Sequence, residues 1–207
     1  MAISYPLSLP STPSWMKANF TANNIVGVSK SPFTNQQQVY QWPGEFWSVD
    51  VSLPPMDKAT AEAWVNFLVS LRGTLGTFYI GDATHAAPNG VATGTPTVNG
   101  AQSSGSNTLA TKGWTHNITG ILKAGDLLQI GTTTQKRLYK VLNDANSDSS
   151  GHATVDIFPV LREGVSDSQS ITLANPAGTF RLLTNDRTWN VDSAQQYGID
   201  FKAEEAF

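Results

Sequence analysis

The chain has 207 residues, with thirteen basic and sixteen acidic side chains for a net charge of −3, and no cysteine, which excludes disulfides, thiolate metal sites and cysteine nucleophiles. The densest basic group is Lys136-Arg137 with Lys140, so a nucleic-acid partner, whose phosphates demand concentrated positive charge, is not expected. Charged residues make up only 14%, against about 25% in ordinary soluble domains. The Ser-, Thr-, Asn-, Gln- and Gly-rich surface that remains repels its neighbours weakly and suits burial in an assembly, though a β-rich protein with many polar turns would share it.

Met1-Ala-Ile-Ser-Tyr-Pro6 has neither the basic nor the apolar region of a signal peptide. The longest near-apolar stretch, Ala63 to Leu71, falls far short of the ~20 residues that span a bilayer. The expectation is a protein made in a cytoplasm that stays soluble until it assembles, with no membrane insertion.

Between Val39 and Leu53, Trp42-Pro43-Gly44-Glu45 predicts a tight turn. The strand after it carries Trp47, Val49, Val51 and Leu53 on one face and Ser48, Asp50 and Ser52 on the other. A helix over about 57–72 follows, capped by Asp57, with Ala61, Trp64, Phe67, Leu68 and Leu71 as its apolar stripe and Gly73 as its stop. Burying Trp64, Phe67, Leu68 and Leu71 would contribute about 1.5–3 kcal/mol each, so this helix is expected in the core. Thr77-Phe78-Tyr79-Ile80 reads as the next strand.

Residues 86 to about 107 read as a loop or weakly ordered stretch. Short strands are then expected in Asp126–Gly131, Arg137–Leu142 and Ala153–Phe158, the texture of a small antiparallel barrel or sandwich. Phe180–Leu183 and Tyr197–Phe201 supply closing strands. Gly76-Thr77-Phe78 before the middle region and Gly178-Thr179-Phe180 after it each open an apolar strand. The repeat suggests a chain that leaves one domain, builds a barrel and re-enters beside its exit. The expected class is therefore mainly β. A β-sandwich belt domain with one helix covers 1–85 and 176–207, and an inserted barrel-like domain covers 86–175.

The motifs that could carry chemistry fall short. Asp144-Ala-Asn146-Ser-Asp148 begins like a calcium loop, but Ser149 stands where the sharp turn needs Gly, and Val155 where a bidentate Glu belongs. His85, His116 and His152 lack the convergent partners of a metal site. Glu204 and Glu205, adjacent on a strand, would point to opposite faces and cannot share acid–base work. No nucleophile elbow, Walker A loop or dinucleotide fingerprint is present. Asn19 and Asn117 match the glycosylation triplet but mean nothing without secretion. No catalytic residue, metal or cofactor is expected. Of the six tryptophans, Trp47 and Trp64 sit at core positions, whereas Trp42, with Phe46, is a candidate protein–protein contact because Trp is enriched at interface hot spots. Trp114 and Tyr139 are candidates for stacking on a carbohydrate.

Ser31-Pro-Phe-Thr-Asn-Gln-Gln-Gln-Val39, Trp42-Pro-Gly-Glu-Phe-Trp47, Leu53-Pro-Pro-Met56, Leu71-Arg-Gly73 and Gly76-Thr-Phe-Tyr-Ile-Gly-Asp82 together resemble the start of tail proteins of long-tailed phages. Lys123–Gly131, Arg137–Val141 and Tyr197–Phe201 extend the likeness over essentially the whole chain. The resemblance implies a distal tail protein located in the virion at the tail tip: a hexameric ring joining the tail tube to the hub and to fibre or receptor-binding proteins. Many relatives carry the second domain after the belt, so an inserted barrel departs from the common layout. A hub-associated minor tail protein and a carbohydrate-binding module are the rival readings.

Overall fold

The computed structural model describes residues 3–132 and 134–207. Two long strands, β1 (Lys17–Lys30) and β2 (Gln37–Ser52), form an antiparallel hairpin running from the pair Lys17–Ser52 to Lys30–Gln37. Near Ser52, β2 also pairs with β12 (Tyr197–Glu205), which pairs with β10 (Gly178–Leu182), which in turn pairs with β3 (Thr77–Ile80). The short β11 (Trp189–Val191) lies against the start of β12.

Opposite this sheet lies α1 (Lys58–Ser70), whose Asp57 cap accepts the Thr60 amide at 2.9 Å. As its spacing predicts, Ala61, Trp64, Phe67, Leu68 and Leu71 are all buried. Trp64 and Phe67 meet Phe78 and Phe201 in a chain of ring contacts at 5.5–6.2 Å between centroids, mostly edge to face. The helix stops at two left-handed residues, Arg72 (φ 50°) and Gly73 (φ 70°). At Gly73 a Cβ would also stand 2.7 Å from Asn185 Oδ1, so glycine is required there twice over.

The chain leaves this sheet after Ile80 and returns at Gly178, and β3 and β10 are direct neighbours, with Phe78 opposite Phe180. Between them β4 (Gly94–Val98), β5 (Thr108–Trp114), β6 (Leu127–Ile130), β7 (Arg137–Val141), β8 (Ala153–Phe158) and β9 (Ile171–Thr172) form a second sheet in the order β4-β5-β8-β7-β6-β9. A bridge from Thr97 to Ser170 brings its two ends together, so the sheet nearly closes into a barrel around Leu109, Ile121, Leu128, Tyr139 and Val155. The mainly-β class with one helix and a small barrel is what the sequence led us to expect.

Three expectations need correction. The stretch 86–107 is not all loop: it holds β4, and Pro96 is tolerated there because the ladder shifts register between Gly94 and Thr97, where no amide donor is needed. Trp42-Pro43-Gly44-Glu45 is not a turn, since β2 runs straight through it and absorbs the irregularity as a register shift opposite Asn23–Ile25. The reversal lies at Ser31–Gln36, where the Ser31 amide donates to the Gln36 carbonyl at 2.9 Å and Asn35 takes a left-handed φ of 58°. Finally, β1 has no counterpart in the sequence reading at all. Among the described residues no helix is long and apolar enough to cross a membrane.

Among the described residues the buried Trp64 indole N–H has no hydrogen-bond partner, so the ring contributes through packing. Trp64→Ala should lower the unfolding free energy by about 3–5 kcal/mol. Trp64→Phe, which keeps a ring and removes the orphan donor, should recover most of that, as read from denaturant midpoints.

Candidate functional site: a projecting hairpin arm

Pairing of β12 with β2 ends at Ser48, opposite Glu204. Beyond that point, among the described residues, β1 and β2 pair only with each other, from Asn23–Phe46 to Lys30–Gln37. At about 3.4 Å per residue, Asn23 to Ser31 makes an arm about 27 Å long. The register fixes its two faces. Val26, Val28, Lys30, Gln37, Val39 and Gln41 share one, and Ile25, Gly27, Ser29, Gln38, Tyr40 and Trp42 share the other.

Both faces carry large apolar side chains left about half exposed or more: Val26, Val28 and Val39 on one, Ile25, Tyr40 and Trp42 on the other. Phe33, at the tip, is 94% exposed. The Trp42 ring lies across Gly27, where a Cβ would come within 2.8 Å of it, and stands 6.4 Å from the Tyr40 ring. Lys30 is the only charged residue between Asn23 and Trp42.

A hairpin wetted on both sides would be polar on both sides. Apolar residues on both faces are the pattern of strands covered from both sides. An isolated two-stranded hairpin is at best marginally stable in water. The outer edge of β1 and the arm portion of β2 also present unpaired backbone groups, which invite a further strand. The arm thus has the composition and edges of a surface covered in an assembly.

Its root is fastened to the barrel. Glu45 is buried at the base of β2, where Gln41 Nε2 donates to Oε1 at 2.8 Å and the Val160 amide to Oε2 at 3.0 Å. Next to it Trp47 Nε1 donates to the Leu138 carbonyl at 3.1 Å, and its ring meets Phe158 edge-on at 5.1 Å. On β12, Glu205 lies 3.4 Å from both Arg162 Nη2 and the Trp47 amide. Arg137 donates to the Ala206 carbonyl and lies 3.4 Å from Glu163. The Phe207 ring lies beneath Arg162, at 4.6 Å, and Arg137, at 5.5 Å. Burial pushes the Glu205 carboxyl up, with the two arginines pulling against it, and burial likewise lowers Arg162.

The sequence-predicted contact residues fare differently. Trp42 is exposed on the arm, while Phe46 sits half-buried at its root beside Arg181, Glu204 and Phe207. Trp114 and Tyr139 are not a stacking platform. Both are buried in the barrel core, where Trp114 Nε1 donates to Thr111 Oγ1 at 2.7 Å and burial pushes Tyr139 up to about 12. They fill the barrel because alternate residues of its strands must point inward.

The calcium-like loop joins β7 to β8 as a polar connection. Asp144 accepts from Lys123 Nζ and the Ala124 amide, Asn146 from the Gly120 amide, and Asp148 from the amides of Ser150 and His152. Among the described residues no group of three or more His, Asp or Glu could hold a metal ion. Glu204 and Glu205 do alternate on β12, with Glu205 buried and Glu204 only partly so. The arm residues that sequence reading passed over are Ile25, Val26, Val28, Phe33, Val39 and Tyr40. Their signal was two short apolar runs flanking Ser31-Pro32, without the one-sided alternation of an ordinary surface hairpin. No protein-family model matches the chain, and no curated protein matches it.

Because its folded pKa is raised, Glu205 holds a proton in the folded chain at pH values where the unfolded chain has released it. Its contribution to stability therefore declines as pH rises from the ordinary glutamate range through the raised value. Glu205→Gln should flatten the stability–pH curve in that window, measured as unfolding midpoints against pH. An unchanged slope would assign the titration elsewhere.

Proposed function

We propose that this chain is a non-enzymatic ring subunit of a phage tail tip, the distal-tail role implied by its resemblance, connecting the tail tube to the hub and its receptor-binding or fibre proteins. The observation that carries this reading is the arm. It is uncharged but for Lys30, apolar on both faces, about 27 Å long and rooted in the core through β2. Such an arm is a poor ligand for phosphates, which need clustered cations. It is equally ill-suited to a bilayer, where its open strand edges would be unsatisfied. Neighbouring protein copies can cover both faces and pair its edges.

The barrel, inserted where β3 and β10 adjoin, is the peripheral module of this reading. With Trp114 and Tyr139 inside its core, the carbohydrate alternative loses the aromatic pair on which it rested.

Light scattering of the purified chain, followed by negative-stain imaging, tests the assignment. A hexamer with a central hole is expected. A variant with residues 24–41 replaced by a two-residue Asn-Gly turn should remain folded and become monomeric. A trimer would move the chain to the hub-associated alternative. A wild-type chain that stays monomeric at its highest soluble concentration, unaffected by the deletion, would overturn the role of the arm.

A further inference from the structure

Where the arm meets the barrel, a cleft of about 440 Å³ opens, lined by the apolar Trp42, Pro43, Leu142 and Phe158 together with the polar Gln41, Glu45 and Asn107. Trp42 and Leu142 are each about half exposed there. A cleft of this size is in the range of about 300–1,000 Å³ that seats compact ligands, enough for one aromatic side chain with its flanking backbone. Among the described residues the most exposed large apolar side chain is Phe33, at the arm tip.

A chain cannot bring these two together on its own. The cleft wall at Trp42 and the tip pair Ser31–Gln36 lie on the same β-ribbon, six residues or about 20 Å apart. A knob and a hole set apart on one molecule make a heterologous, head-to-tail contact, which closes into a ring when the rotation allows.

Resting on the ring assignment above, we propose that the arm tip of one copy inserts Phe33 into the Trp42–Leu142 cleft of the next copy. Charge favours this occupant. The tip segment Ser29–Gln38 has Lys30 and no acid, whereas the cleft has Glu45 and no cation in its lining. Area favours it as well. A ribbon about 27 Å long and about 10 Å wide, covered on both faces, buries about 540 Å² of its own surface, so about 1,100 Å² over both partners, just past the roughly 1,000 Å² total that a specific interface needs. Trp42 then serves twice, as part of one copy's arm and as the wall that receives its neighbour's tip.

The cysteine-free chain makes the test clean. Thr34→Cys, beside the tip phenylalanine, and Asn107→Cys, on the cleft rim, are both exposed positions. Carried together in one chain and treated with a short bismaleimide, they should give a denaturant-resistant ladder of multimers up to the size of the native oligomer. Thr34→Cys alone should give no ladder. Adding Phe33→Ser to the double-cysteine chain should weaken association by roughly thirtyfold in dissociation constant, the effect of losing a hot-spot aromatic, and lower the cross-linked yield accordingly. An oligomer of unchanged mass without the Thr34–Asn107 link would overturn the placement of the tip while leaving the ring intact. A chain that is monomeric and gives no link would overturn both.

Discussion

The exterior of this protein depends on how β2 is rooted. One strand supplies the Trp47–Val49–Val51 stripe of the core and, without a break, one side of the arm. A strand locked by a buried tryptophan cannot slip by one residue, because a slip would turn every core side chain outward. The direction of the arm is thus set by core packing. The bonds from Glu45 to Val160 and from Trp47 to Leu138 carry that constraint across to the barrel.

The charged groups at this junction have a different character. Glu205, Arg162 and Arg137 are largely withdrawn from water, and among the described residues Glu205 Oε1 and Arg162 Nε have no hydrogen-bond partner. Buried ion pairs of this kind seldom contribute much net stability, since desolvation offsets their attraction. Their value is directional: an arginine that must reach Glu205 from the barrel permits one orientation of the barrel on the first sheet and penalises others. Phe207 beneath both guanidinium groups adds cation–π contacts of about 0.5–2 kcal/mol.

Much of this architecture could be read from the residues. The helix was legible because Ala61, Trp64, Phe67, Leu68 and Leu71 keep one face through more than two turns and Asp57 caps it. The insertion was legible because two strands that must pair happen to open with the same triplet, Gly-Thr-Phe. The arm was not. Its strands carry apolar residues on both faces, so Ile25-Val26-Gly27-Val28 lacks the alternation that a half-buried strand displays. The Pro43-Gly44 pair was misread as a turn because both residues favour turns locally, yet Pro also fits a ladder irregularity. Trp114 and Tyr139 were misassigned for a related reason: an aromatic on a short strand reads the same from sequence whether it faces a barrel's interior or a ligand.

The adjacency of β3 and β10 has an architectural consequence. A domain entering and leaving through neighbouring strands looks like a cassette, exchangeable for any other whose ends meet. Here it doubles as a lid, since Leu127 and Leu138 of the barrel belong to the core beneath Trp47. A substitute would have to bring its own cover for that tryptophan, so the barrel can be exchanged only for a module that presents an apolar strand to the same spot.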